Sequence, residues 1–123
     1  MGQQALAAAQ ALEQRMPDSP VPANLTGLAY LASGNPEEAD ARFRKALEID
    51  PEFLVAYMNR ARTALARGDA GTARASYEAV LQRQANHLGA LLGLAALAQQ
   101  AGNEQAMHGY LDQAYAANPD ALQ

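Results

Sequence analysis

Three glycines, Gly34, Gly68 and Gly102, stand 34 residues apart, and no other feature of this 123-residue chain limits its fold so tightly. Pro17, Pro51 and Pro119 keep the same register, with Ala85 in the one slot where proline is missing. A fixed period of this length means that one supersecondary unit is built again and again. Each glycine is followed by Asn35, Asp69 or Asn103, whose side chains accept a backbone N–H at the start of a helix. In the first copy Pro36 occupies the first helical position and Glu38 stands where a capping box needs it. A helix is therefore predicted to begin after each Gly-Asx pair. It stops before the lattice proline, which lacks the N–H that a helix interior requires and disfavours helix in its predecessor.

A second helical segment lies between each proline slot and the next glycine: PANLTGLAYLAS, LVAYMNRARTALAR and LGALLGLAALAQQA. Leu25, Leu28, Ala29 and Ala32 recur at steps of three and four, as do Leu91, Leu94, Ala95 and Ala98, which is the spacing of one helix face. Thirty alanines and sixteen leucines favour helix throughout, so an all-α chain is predicted. The unit is a helical hairpin with a Gly-Asx turn inside it and a proline turn after it.

This pattern resembles the tetratricopeptide repeat family, in which small and large residues recur at fixed places in a 34-residue helix-turn-helix. From Pro20 to Phe53 the match rests on Gly27, Tyr30, Ala39, Phe43, Ala46 and Pro51, and Ala23 departs in the first aromatic slot. From Leu54 to His87 it rests on Tyr57, Ala61, Gly68, Ala73 and Tyr77, with Arg60, Val80 and Ala85 departing. From Leu88 to Ala121 it rests on Leu91, Leu94, Ala95, Gly102, Leu111, Ala114 and Pro119, with Met107 in place of a small residue. Residues 2–17 fit the second helix of a preceding copy, with Ala5 in the small slot. The resemblance implies a single array over 1–123, made of this partial copy and repeats at 20–53, 54–87 and 88–121, about seven helices stacked as a right-handed superhelix. Gly27, Ala61 and Ala95 are expected to let the helices of a hairpin approach closely, and Phe43, Tyr77 and Leu111 to fill the space between a hairpin and its neighbour. No hairpin of this kind buries its apolar face alone.

Such arrays line a concave groove with their first helices and hold an extended peptide or a partner's helix there. Carried over by register, the groove stripe is Val21, Asn24, Leu28 and Leu31, then Val55, Met58, Arg62 and Leu65, then Gly89, Leu92, Ala96 and Gln99; steps of three and four keep each set on one face. Asn59 and Arg62 are the expected polar handles, able to hold a peptide backbone or an acidic side chain. A subgroup that clamps a C-terminal carboxylate with lysine and asparagine is not matched, because the single lysine, Lys45, lies on a second helix. The Ala/Leu-rich wording of residues 25–51 and 87–122 also resembles tetratricopeptide lipoproteins of bacterial PEP-CTERM sorting and exopolysaccharide systems. That implies a scaffold in the cell envelope, with a cytoplasmic location as the alternative.

The chain opens on an unaccompanied second helix and closes with Asp120-Ala121-Leu122-Gln123, which reads as the beginning of a further hairpin. Repeat arrays end in units with a polar outer face. The last helix instead carries Met107, Tyr110, Leu111 and Tyr115, so the expectation is a piece of a longer array or a homo-oligomer joined through its ends.

Other functions find little in the sequence. A net charge of -4 argues against phosphate neutralisation as a binding mode, and so against nucleic acid. Without cysteine there is no disulfide or thiolate metal site. No apolar run reaches the length of a membrane span, and the first twenty residues carry Glu13 and Arg15 where a secretory signal is apolar. His87 falls in an inter-repeat turn and His108 early in a helix, with no spacing that pairs either with a nucleophile or a metal. Glu37, Glu38 and Asp40 complement a helix dipole, while Glu48, Asp50 and Glu52 lie near a turn. A non-enzymatic interaction scaffold without cofactor or metal is the expectation, with a self-assembling structural protein as the alternative.

Overall fold

The computed structural model describes residues 2–120, and Ala121, Leu122 and Gln123, where the expected further hairpin begins, lie outside them. Among the described residues are seven α-helices and no strand: α1 (Gly2–Arg15), α2 (Pro20–Ala32), α3 (Pro36–Ile49), α4 (Leu54–Ala66), α5 (Ala70–Arg83), α6 (Leu88–Gln100) and α7 (Glu104–Ala117). The fold is all-α and made of helical hairpins, as the 34-residue period predicts. Packing divides the chain into two compact units, Met1–Ala73 and Arg74–Gln123, and the division falls inside α5.

In the first unit α2 packs against α1 and α3, α3 packs against α4, and α2 touches α4. Three residues, Ser33-Gly34-Asn35, turn the chain from α2 into α3. Gly34 has φ 81°, a left-handed conformation that a Cβ disfavours. That geometry lets the Gly34 N–H reach the Leu31 carbonyl at 3.1 Å and the Asn35 N–H reach that of Tyr30 at 2.9 Å, which satisfies carbonyls left open at the helix end. Gly68, with φ 73°, repeats both bonds, to Leu65 and to Ala64. The proline turns work differently. Asp50, before Pro51, is extended at φ -141° and ψ 97°, and the Phe53 N–H then returns to the Asp50 carbonyl at 3.1 Å.

The apolar interior of this unit is made by small residues. Ala23 of α2, Ala46 of α3 and Ala56 of α4 meet in one buried cluster, with Leu47 and Phe53 packed against it. Gly27 faces the Phe43 ring so closely that a Cβ on it would lie 2.5 Å from Cε1. Phe43 is fully buried. It therefore rests on α2 of its own hairpin.

In the second unit α6 packs against α7. Gly102, with φ 77°, makes the same turn as Gly34 through Gly102 N–H to Gln99 and Asn103 N–H to Ala98. The slot held by Ala85 still forms a turn, closed by His87 N–H to the Gln84 carbonyl at 3.1 Å, so proline there is a preference and not a requirement. The Tyr77 ring lies against Gly93 of α6, where a Cβ has no room. Leu111, the third large residue of the series, is 36% exposed and does not fill an interior space. On α7 Ala114 is the residue fully buried.

Two of the three Gly-Asx turns cap their helix as the residue types predict. Asp69 Oδ1 accepts the Thr72 N–H at 3.1 Å, and Asn103 Oδ1 accepts that of Ala106 at 3.0 Å. Asn35 makes no side-chain cap bond, so α3 begins on the preset φ of Pro36 and on Glu37 and Glu38 beside its N-terminal dipole. Two further caps lie outside the Gly-Asx pattern. Ser19 Oγ accepts the Val21 N–H at 3.2 Å, and His87 Nδ1 accepts that of Ala90 at 3.0 Å, so the turn histidine starts α6.

Candidate functional site

The positions expected to bind a partner lie on α2 and α4 in the first unit and on α6 in the second. In the first unit Val21, Val55 and Leu65 are 44%, 53% and 44% exposed, Arg62 is exposed beside them, and Leu28, Leu31 and Met58 are half-buried. Hydrophobic side chains of this size left to water on adjacent helices form an apolar surface with one guanidinium on it. No lysine or acid of α2 or α4 interrupts it, because neither helix contains one.

Asn24 and Asn59 are placed otherwise. Both are buried, and Asn59 Nδ2 donates to Asn24 Oδ1 at 2.9 Å, joining α4 to α2. The expectation that Asn59 holds a partner's backbone is corrected, since its amide is used inside the unit. The physical reason is the pairing itself: where α2 meets α4 each buried amide satisfies the other, so Asn24 of the expected stripe is taken out of the groove together with Asn59. Buried hydroxyls nearby are satisfied within their own helices: Thr26 Oγ1 donates to the Pro22 carbonyl at 3.0 Å and Thr63 Oγ1 to that of Asn59 at 2.7 Å.

In the second unit Leu92 and Gly89 of α6 are half-buried, whereas Ala96 and Gln99 are exposed. The stripe of α6 therefore offers only small or polar groups to water. On α7 the expected edge residues separate into two pairs. Met107 and Tyr110 are half-buried; Leu111 and Tyr115 are exposed, Tyr115 to 52%.

The side chains that sequence reasoning missed are charged and lie between second and first helices. Asp40, which by position complements a helix dipole, is buried, accepts Arg60 Nε at 2.8 Å from α4, and pairs with Arg44 Nε at 3.1 Å one turn along α3. Glu13 Oε2 of α1 pairs with Lys45 Nζ at 3.3 Å and Arg42 at 3.5 Å on α3, while its Oε1 is buried without a hydrogen-bond partner. Arg42 also lies over the Tyr30 ring, 5.9 Å from its centre. Only the i, i+4 spacing of Asp40 and Arg44 is legible in the sequence as a pair. Asp69 is a turn acid whose carboxyl is held below the usual carboxylate range, first by the Thr72 hydroxyl and then by the Thr72 N–H, both of which favour the ionised form. Among the described residues no group of three or more His, Asp or Glu is placed to hold a metal ion, and no helix is long and apolar enough to cross a membrane.

Two tetratricopeptide repeat family models match this chain, at residues 23–53 and 43–75. No curated protein matches. Among solved structures, MamA is similar at a TM-score of 0.89 and 13% identity, over 98% of this chain and 71% of that one. The APC/C hetero-tetramer Cut9-Hcn1 is similar at 0.83 and 24% identity, over 95% of this chain and 22% of that one. The C-terminal part of a TPR repeat-containing protein from Cytophaga hutchinsonii is similar at 0.77 and 24% identity, over 92% and 49%. At such identities these structures speak to the fold alone. Residues 23–75 match the tetratricopeptide repeat family, and with three left-handed glycines in 34-residue register and seven helices the fold is that of tetratricopeptide repeats.

Proposed function

We propose that the protein is a non-enzymatic interaction scaffold that takes a peptide or helix of a partner protein on the exposed face of the first helices α2 and α4. In this reading residues 20–53, 54–87 and 88–121 are the repeats and 2–17 the second helix of a partial one. The observation that carries it is the set Val21, Val55 and Leu65, each more than two-fifths exposed on adjacent helices and flanked by Arg62. Water gains by release from such a surface when an apolar partner covers it, and the guanidinium gives the partner an orientation through a carboxylate or carbonyl. Leu28, Leu31 and Met58 form the floor, and Leu92 and Gln99 are the corresponding positions of α6.

The test is selection of binding peptides from a display library with the whole chain, followed by affinity measurement on variants. Val55→Asp and Arg62→Glu should each weaken a selected peptide at least about tenfold, the scale of one lost charge-assisted contact or apolar anchor. Unchanged affinity in both variants overturns the groove. A second reading, self-association through α7, is favoured by exposed Leu111 and Tyr115. In that case Leu111→Glu or Tyr115→Glu changes the mass measured by light scattering and leaves peptide binding alone. A place in a bacterial cell-envelope or sorting system is the narrowest form of the scaffold reading, supported only by resemblance of the Ala/Leu-rich wording.

A further inference from the structure

The second unit contains a cleft of about 250 Å³ that the groove of the first helices does not use. Its apolar lining comes from Leu94, Leu97 and Ala98 of α6, Ala101 of the turn and Ala106 of α7, and its polar lining from Arg74 of α5, Asn103 of the Gly-Asx turn and Tyr110 of α7. Register explains why it exists. The residues 34 positions before Arg74 and Leu94 are Asp40 and Arg60, the partners whose 2.8 Å bond closes the crossing of α3 and α4. At α5 and α6 the acid has become an arginine and the arginine a leucine. The leucine is shorter than the side chain it replaces and carries no charge, so the crossing keeps a space, and a guanidinium faces it with no acid lining the cleft among the described residues.

All three polar groups can donate hydrogen bonds. Arg74 brings its guanidinium, Asn103 has its Oδ1 turned to the Ala106 N–H and so presents its amide NH2, and Tyr110 brings a hydroxyl. A set of donors around an apolar wall selects an anion with an apolar stem. We propose that this cleft is a binding site for a carboxylate carried on a short aliphatic chain, which supplies to Arg74 the acid that Asp40 supplies to Arg60. Arginine matches a carboxylate with two parallel N–H donors, and partial enclosure strengthens the pair relative to open water. The ligand is either a small free acid or the acidic side chain of a partner, since both present the same group.

Amide chemical-shift titration of the whole chain tests it, with isocaproate as the free acid, isocaproamide as its uncharged counterpart, and N-acetylglutamate N-methylamide as the side-chain mimic. Either carboxylate should shift the amides of residues 97–106 and Arg74 and saturate, while isocaproamide binds at least about tenfold more weakly. Arg74→Gln should weaken the carboxylates by a similar factor. Because Arg74 is exposed on its helix, the variant is expected to keep the wild-type helical circular dichroism, and Tyr110→Phe gives a smaller loss in the same direction. Tighter binding of isocaproate assigns the site to a free acid, and tighter binding of the glutamate mimic assigns it to a partner's side chain. Equal binding of acid and amide, no saturation by either carboxylate, or unchanged affinity in Arg74→Gln overturns the proposal.

Discussion

The crossing of α3 with α4 and the crossing of α5 with α6 occupy the same register of the repeat, yet they are held by different physics. At the first, Asp40 and Arg60 pair at 2.8 Å and a second guanidinium, Arg44, shares the acid. At the second, Arg74 and Leu94 stand in those places, and the helices meet through the Tyr77 ring on Gly93. The steric element also moves. In the first unit the ring of Phe43 sits on Gly27, sixteen residues before it; in the second the register-equivalent ring of Tyr77 sits on a glycine sixteen residues after it. In these two copies a large ring meets a bare backbone, each time at a different place in the repeat. Polar positions are assigned copy by copy: the buried Asp40 is held by two cations, whereas Arg74 is exposed on its helix and keeps its charge in contact with water.

Substitutions can break this comparison, and the rings should respond most. Phe43→Ala is expected to cost about 3–5 kcal/mol in urea unfolding, since the side chain is fully buried and leaves a cavity beside Gly27. Leu111→Ala, in the same register but exposed, should cost under about 0.5 kcal/mol. A loss at Leu111 equal to that at Phe43 would show that the two positions are packed alike. Gly27→Ala probes the other side of the contact: its Cβ meets the Phe43 ring and should cost about 1–3 kcal/mol by overpacking.

The polar contrast is next in size. Arg60→Leu copies the second crossing into the first and strips Asp40 of one of its two cations, for an expected loss of about 1–3 kcal/mol. Arg74→Leu, with no acid to abandon, should lie within about 0.5 kcal/mol of wild type. Similar losses in the two variants would refute the polar difference between the crossings. Asn59→Ala leaves the buried Asn24 amide without its partner and should cost about 1–3 kcal/mol, and Asn24→Leu made together with Asn59→Leu should recover part of that, because both polar groups then leave the interior.

The smallest effect belongs to the turns. The folded carboxyl of Asp69 lies below its ordinary value, so the stabilisation it gives is present above that ordinary value and fades as pH falls through the lowered one. Thr72→Val removes the hydroxyl that is the main cause, and the Asp69 titration followed by carbon NMR should move up toward the ordinary range. An unmoved titration would assign the shift to the backbone N–H instead.

Much of the fold is legible in the chain itself. The hairpin, the helix boundaries within a few residues and the glycine turns follow from residues whose effects are local: a backbone at φ 73–81° wants no Cβ, and proline cannot continue a helix. Caps are legible at Asp69 and Asn103, where the side chain reaches the N–H it is expected to meet, and the same expectation fails at Asn35. Of the expected stripe Val21, Val55 and Leu65 are exposed, whereas Asn24 on it and Asn59 beside it are both buried, because their amides pair between α2 and α4 and no local spacing encodes that pairing.

What the sequence determined by itself is the repeated unit, its helical state and its punctuation, since each follows from short-range backbone preferences repeated every 34 residues. Only the tertiary structure decided that Asn24 answers Asn59, that Asp40 answers Arg60, and that among the described residues no acid lines the cleft beside Arg74. Those pairings join residues far apart in the chain, and their energy depends on distance and burial, which no local pattern encodes.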